Sequence, residues 1–178
     1  MIYLASQSPR RQELLQQLSV PFDVIDVNVH EQRLAGESPL DYVNRVAKEK
    51  AGAGLLQMAG QPQAVVLGAD TDVVLAGEVL GKPENKQQAF TMLRSLAGRN
   101  HEVITAVWLM SASQELHCVV SSTVIFADMG DDEIHAYIET GEPFGKAGGY
   151  AVQGLGAAFI SSIQGSYSGI MGLPLQVL

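Results

Sequence analysis

A single cysteine in 178 residues, Cys118, has nothing to pair with inside the chain, so a disulfide framework is excluded, and no Cys/His spacing matches a zinc site. It lies in the apolar run Leu116-His117-Cys118-Val119-Val120 and reads as an inert core-strand thiol. Basic charge is scarce too: 11 Lys and Arg face 19 Asp and Glu, for a net charge of −8. A surface with no basic excess cannot displace counterions from a nucleic-acid backbone, which excludes nucleic acid as a partner and favours a small, locally neutralised ligand. No apolar run approaches the ~20 residues of a membrane span, and no charged-then-apolar leader opens the chain. The expectation is a soluble cytoplasmic protein with no membrane partner. Also missing are a GxxxxGK[ST] loop, a GxGxxG after a strand and an HExxH. The four histidines, His30, His101, His117 and His135, are dispersed and read as structural or surface residues.

What is present begins at the first residue. The apolar run Met1 to Ala5 leads into Ser6-Gln7-Ser8-Pro9-Arg10-Arg11 and then into a periodic segment with Leu14, Leu15 and Leu18. This predicts a buried strand, a tight polar turn and a helix with Ser8 at the N-cap and Pro9 at the first helical position. Two arginines then sit in the first turn, where cations oppose the helix dipole. The misfit disappears if an anion docks there, because backbone N–H groups, the dipole and the guanidinium groups of Arg10 and Arg11 would all address a phosphate. A helix start with two solvated arginines is the plainer alternative.

Strand-like and helix-like stretches alternate over residues 1–178, and with 47% hydrophobic residues the chain has enough apolar mass for one domain. Strands are predicted at Phe22 to Val27, Ala64 to Leu67, His101 to Met110, Leu116 to Phe126 and Ala157 to Ile163. Val73 to Leu80 reads as a hairpin turning at Ala76-Gly77. Ser38-Pro39 repeats the cap-plus-proline signature before a long helix with Leu40, Val43, Ala47, Ala51 and Leu55 on one face. Asn85 and Asp131 are expected to cap two shorter helices. The fold class is mixed α/β, one sheet system in two lobes around a cleft.

Several residues have the chemistry for a site, each with a structural alternative. Asp70 is predicted to end the Ala64 to Leu67 strand, where a carboxylate is rigidly presented; an Asp closing a turn is the alternative. Thr71 adds a hydroxyl beside it. Glu31 reads alone as a solvated acid, and Lys50, near a helix end, as a cation favoured by the dipole. Lys82 is framed by Gly81 and Pro83. The glycine-dense loop Gly145 to Gly154 carries Lys146, and its Tyr150 and Gln153 are able to meet a base by stacking and amide hydrogen bonding.

Taken together, Ser6 to Arg11, Gly68 to Thr71, Gly81-Lys82-Pro83, His101 to Thr105, Lys146 to Tyr150 with Gln153-Gly154, and Gly165-Ser166-Tyr167 with Gly172-Leu173-Pro174 resemble the Maf-like nucleotide pyrophosphatases. They occur in the family's order and span nearly the whole chain. The Lys-Ala-Gly-x-Tyr and Gln-Gly pairing is similar to the branch acting on dTTP and UTP. The resemblance implies hydrolysis of a nucleoside triphosphate between the α and β phosphates, giving a monophosphate and pyrophosphate, with Mg²⁺ or Mn²⁺. It also implies a two-lobed fold related to the inosine triphosphate pyrophosphatases, often dimeric. Carried over by motif, Asp70 is the proton acceptor or metal-linked acid, acting on or beside a metal-activated water, with Glu31 as the other metal-side acid. Arg10, Thr71 and Gln153 are specificity positions. Ser8, Arg11, Lys50, Lys82 and Lys146 bind substrate. Gly149 stands where the family more often has alanine, and Gly145 where a charged residue is common. A further helix is implied after Leu175. The alternative function is a non-catalytic nucleotide sensor regulating cell division through the same pocket.

Overall fold

The computed structural model describes residues 1–178. Strand β1 (Ile2–Leu4) is followed by helix α1 (Pro9–Gln17), β2 (Phe22–Val24) and the long helix α2 (Pro39–Gln57). Next come β3 (Val65–Leu75), β4 (Glu78–Leu80), α3 (Lys86–Leu96), β5 (Asn100–Met110), β6 (Glu115–Phe126) and α4 (Asp131–Glu139). Two 3₁₀ turns, Ala147–Gly149 and Leu155–Phe159, lead to β7 (Ile160–Gln164), α5 (Tyr167–Met171) and a last 3₁₀ turn at Leu175–Val177.

All seven strands form one mixed sheet in the order β2-β1-β3-β5-β6-β7, with β4 paired to β3. β1 runs parallel to both β2 and β3, and the remaining pairs are antiparallel. The β3–β4 turn takes positive φ at Ala76 and Gly77, +52° and +84°, as a tight hairpin requires.

Both faces of the sheet are covered, so β3 reads as a nearly continuous buried run. Alternation sorts its residues. Val74 joins Ile104, Ala106 and Trp108 beneath α2, while Leu67, Ala69 and Val73 face the opposite side with α1, α3, α4 and α5. α2 approaches β3 very closely: a Cβ on Gly68 would lie 2.5 Å from both the Ala47 carbonyl oxygen and the Ala51 nitrogen. Only glycine allows that spacing.

Several expectations shift. Asp70 does not end a strand; it sits within β3, which continues to Leu75 because β5 pairs with it from Val66 to Val74. β2 stops at Val24, where its only partner β1 has also ended. β7 begins at Ile160, after Leu155–Phe159 has wound into a 3₁₀ turn. Leu40 is exposed, because the buried stripe of α2 runs through Tyr42, Val43, Val46, Ala47, Lys50 and Ala51. Gly130, not Asp131, occupies the N-cap of α4, its N–H donating 2.8 Å to the Glu133 carboxylate. Cys118 is half-buried on β6.

Candidate active site

The cleft opens where the sheet splits. β5 occupies one edge of β3, so β1 and β4 must share the other; β1 covers Val65–Leu67 and β4 covers Val73–Leu75. Between them the edge from Gly68 to Asp72 is unpaired. The gap lies just past the carboxyl end of β1, whose neighbours are β2 on one side and β3 on the other. Ligand crevices of α/β sheets form at such reversals of strand order. A cavity of about 500 Å³ fills it, within the range of small-molecule sites. The gap lets one cavity reach both faces: Asp70 and Asp72 line it from the α2 side, Thr71 and Val73 from the other.

The start of α1 forms one wall. Ser8 holds the N-cap, with φ −63° and ψ 116°, and Pro9 follows it, but the Ser8 hydroxyl makes no capping hydrogen bond. The first turn carries no acid. Its two arginines diverge. Arg11 is buried, with Nε donating 2.8 Å to the Gly172 carbonyl, and its terminal nitrogens donating 3.1 Å to Ser6 Oγ and 3.1 Å to Thr71 Oγ1. Burial works against its charge and the Asp70 carboxylate supports it. Thr71 Oγ1 continues the network to Thr105 Oγ1 at 2.9 Å, and Thr105 donates to the Gly169 carbonyl at 2.7 Å. Arg11 therefore ties α1, β3 and α5 together. Arg10 keeps its terminal nitrogens free; only Nε has a partner, the Met171 carbonyl at 3.4 Å.

The glycine-rich segment forms the facing wall. Lys146 Nζ donates 2.6 Å to the Glu142 carbonyl, and its pKa is lowered by burial and then by the nearby charge of Arg10. Two cations thus face one cavity. Gln153 lines it from an exposed position. Tyr150 lines the cavity as well, although it is largely buried. It is packed against Phe126, and its hydroxyl meets His101 Nε2 at 2.8 Å. Burial pushes His101 down to about 4, so it stays neutral in the core.

The acidic side is ordered by Lys50. Set on the apolar stripe of α2 rather than near its end, it reaches Asp70 Oδ1 at 2.8 Å and Glu31 Oε1 at 2.5 Å. The second oxygen of Glu31 accepts from Lys82 at 3.2 Å. Burial raises the Glu31 carboxyl, but the Lys50 hydrogen bond and the charges of both lysines outweigh it, leaving it at about 2. Glu31 is thus no isolated surface acid; it anchors two lysines.

A model of the Maf-like protein family matches residues 1–178. The chain belongs to the Maf-like family. It is 55% identical to the dTTP/UTP pyrophosphatase of Xanthomonas euvesicatoria pv. vesicatoria, over 98% of this chain and 93% of that protein. It is 51% identical to the nucleoside triphosphate pyrophosphatase of Xylella fastidiosa, over 99% and 94%. Among solved structures, the nucleoside-triphosphatase / dITP/XTP pyrophosphatase of Mycobacterium abscessus aligns at a TM-score of 0.47 and 14% identity, over 72% of this chain and 75% of that one.

Three residues of this Maf-like site escaped the sequence. Asp72 lies two places beyond Asp70 on the same face of β3; burial and then the Asp70 charge push it up to about 8. Strand alternation would have found it had β3 been read at full length. Tyr42 lines the same wall, its phenol raised by burial and the surrounding acids. Glu142 organises the glycine-rich wall: its carboxylate accepts from Tyr137 Oη at 2.8 Å and from the N–H groups of Leu155 and Gly156 at 2.9 Å each. A Cβ on Gly154 would strike that carboxylate, which explains the glycine. No local pattern marks Glu142.

The donors suit a hard divalent cation. Asp70 Oδ2 and both Asp72 oxygens have no protein partner, whereas both Glu31 oxygens do. No cluster of three acidic, histidine or cysteine side chains is gathered around them.

Proposed function

We propose that the chain hydrolyses nucleoside triphosphates, dTTP and UTP by preference, to the nucleoside monophosphate and pyrophosphate. The observation that carries this is a single cavity joining an uncapped, arginine-bearing helix start to the Asp70 carboxylate across the open edge of β3. Phosphoryl transfer needs positioning and charge neutralisation more than covalent chemistry, and this arrangement supplies both. The N–H groups of the α1 first turn, Arg10 and Lys146 receive the phosphates. Arg11 holds α1 and Thr71 in place. Asp70, oriented by Lys50, accepts the proton of the attacking water as the bond from the α phosphorus to the bridging oxygen breaks and pyrophosphate leaves. A Mg²⁺ or Mn²⁺ held through Asp70, when bound, neutralises phosphate charge and makes a water easier to deprotonate. Gln153 offers an amide that pairs with the N3–H and a carbonyl of uracil or thymine. Such a substrate places the enzyme in the cytoplasm, where nucleoside triphosphates are made and consumed.

The test is pyrophosphate release from a panel of nucleoside triphosphates with Mg²⁺ or Mn²⁺. dTTP and UTP are expected to exceed ATP and GTP. Asp70→Asn should lower kcat by at least the ~10²-fold typical of losing a general base or a metal-positioning acid. Gln153→Glu, which lacks the donor, should erode the pyrimidine preference by roughly 1–3 kcal/mol. No turnover above blank would leave only nucleotide binding, and equal rates on purines would remove the role given to Gln153.

A further inference from the structure

Resting on the pyrophosphatase reading, we propose that Asp72, together with Asp70, is a ligand of the divalent cation, and that Glu31 is a positioning residue for Lys50 instead. Strand alternation places Asp70 and Asp72 on one face of β3, roughly 7 Å apart along the strand. Both line the cavity. Asp72 is only 8% exposed, and yet no donor and no cation meets its carboxylate. Its oxygens open onto the cavity rather than into the core, so whatever meets them comes from the cavity. Of the other acids lining the cleft, Asp70 holds Lys50 through Oδ1, Glu31 uses one oxygen on Lys50 and the other on Lys82, and Asp26 is exposed to solvent.

Among the buried acids of the cleft, the oxygens without a protein partner are therefore Asp70 Oδ2 and the pair on Asp72, and both residues line the cavity. A cation drawn to Glu31 would have to displace two ammonium groups, while one drawn to Asp72 displaces none. Two carboxylates without a third suit Mg²⁺ or Mn²⁺, which keep several waters and complete their shell with phosphate oxygens. Zinc, with its preference for nitrogen and sulfur, finds no such ligand here. The arginines and lysines of the cleft thus leave one buried acid unattended, and its partner arrives with the substrate.

The experiment is an Mn²⁺ titration followed by the electron paramagnetic resonance signal of the free ion, with and without inorganic pyrophosphate, and with thermal melts of the same samples. Asp72→Asn should weaken Mn²⁺ binding by at least ~10-fold, as Asp70→Asn does, whereas Glu31→Gln should stay within about threefold of wild type. Without metal, Asp72→Asn should melt within about 2 °C of wild type, because the amide matches the carboxyl group in size. It should also lose the rise in Tm that Mn²⁺ gives the wild type. Should the asparagine variant misfold by circular dichroism, Asp72→Ser serves for the same readings.

Wild-type Mn²⁺ affinity in Asp72→Asn, an equal loss in Glu31→Gln, or no wild-type binding at millimolar Mn²⁺ with pyrophosphate present would each overturn the assignment. A wild type that binds Mn²⁺ through Asp72 but releases no pyrophosphate from any nucleotide would sustain the ligand assignment and overturn the hydrolysis.

Discussion

Helices α1 and α2 begin with the same two residues, Ser-Pro, and are finished in opposite ways. At α2, Ser38 Oγ accepts from the Asp41 N–H at 3.1 Å and donates to the Asp41 carboxylate at 2.6 Å, so cap and first-turn acid complete each other. At α1 the Ser8 hydroxyl caps nothing, no acid follows, and Arg10 and Arg11 occupy the turn. α2 meets solvent at its start; α1 meets the cavity. The difference teaches that an incomplete cap can mark a binding site. The N–H groups and dipole that α2 satisfies from its own sequence are left by α1 for a ligand. α1 is secured elsewhere, through buried Leu14 and Leu15 and through Arg11 on the Gly172 carbonyl.

The comparison is sharpened most by inverting the charge of α1. Arg10→Glu should lower kcat/KM for dTTP by at least ~10²-fold, while the protein melts at or slightly above the wild-type temperature, since an acid in the first turn is worth ~0.3–1 kcal/mol. A clear fall in Tm would make Arg10 structural and dissolve the contrast. Next in size, pyrophosphate at about 100 times its Kd should stabilise the wild type by ~2.7 kcal/mol. Arg10→Ala at the same concentration should lose most of that gain; an equal shift in both proteins would place the anion elsewhere. Ser38→Ala should then cost about 1 kcal/mol, or roughly 2–4 °C in Tm, with kcat/KM unchanged. The smallest effect belongs to Ser8→Ala, whose stability should stay within about 0.5 kcal/mol of wild type because no cap is lost. A loss from Ser8→Ala as large as that from Ser38→Ala would show that α1 is capped in solution.

Both helix starts were legible because the Ser-Pro signature is local: proline fixes φ and serine sits one place before it. What separates them was partly legible as well, in Arg10-Arg11 at the start of α1. Residues governed by distant partners were harder. Asp70-Thr71-Asp72 looks like the polar end of a strand, yet β5 pairs straight through it, and the polarity reflects an open edge on the other side. Tyr150 lines the cavity, yet the contacts that fix it, the Phe126 ring and His101 of β5 on its hydroxyl, come from distant strands. Lys50 looked like a dipole-favoured cation, although its helix runs on to Gln57 and buries it against Asp70. The Maf-like membership needed none of this, since motifs in order along the chain carry it without geometry.

Gly68 carries no functional group, yet it decides how far α2 stands from β3, and hence where Lys50 meets Asp70. A methyl group there has no room against the Ala47 carbonyl and the Ala51 nitrogen, so α2 must lift off the sheet and take its lysine along. A random mutagenesis screen would then score Gly68→Ala among the inactive variants, although every side chain of the reaction would still be present. In such a screen, the backbone separation of one helix and one strand would be inherited as if it were a catalytic residue.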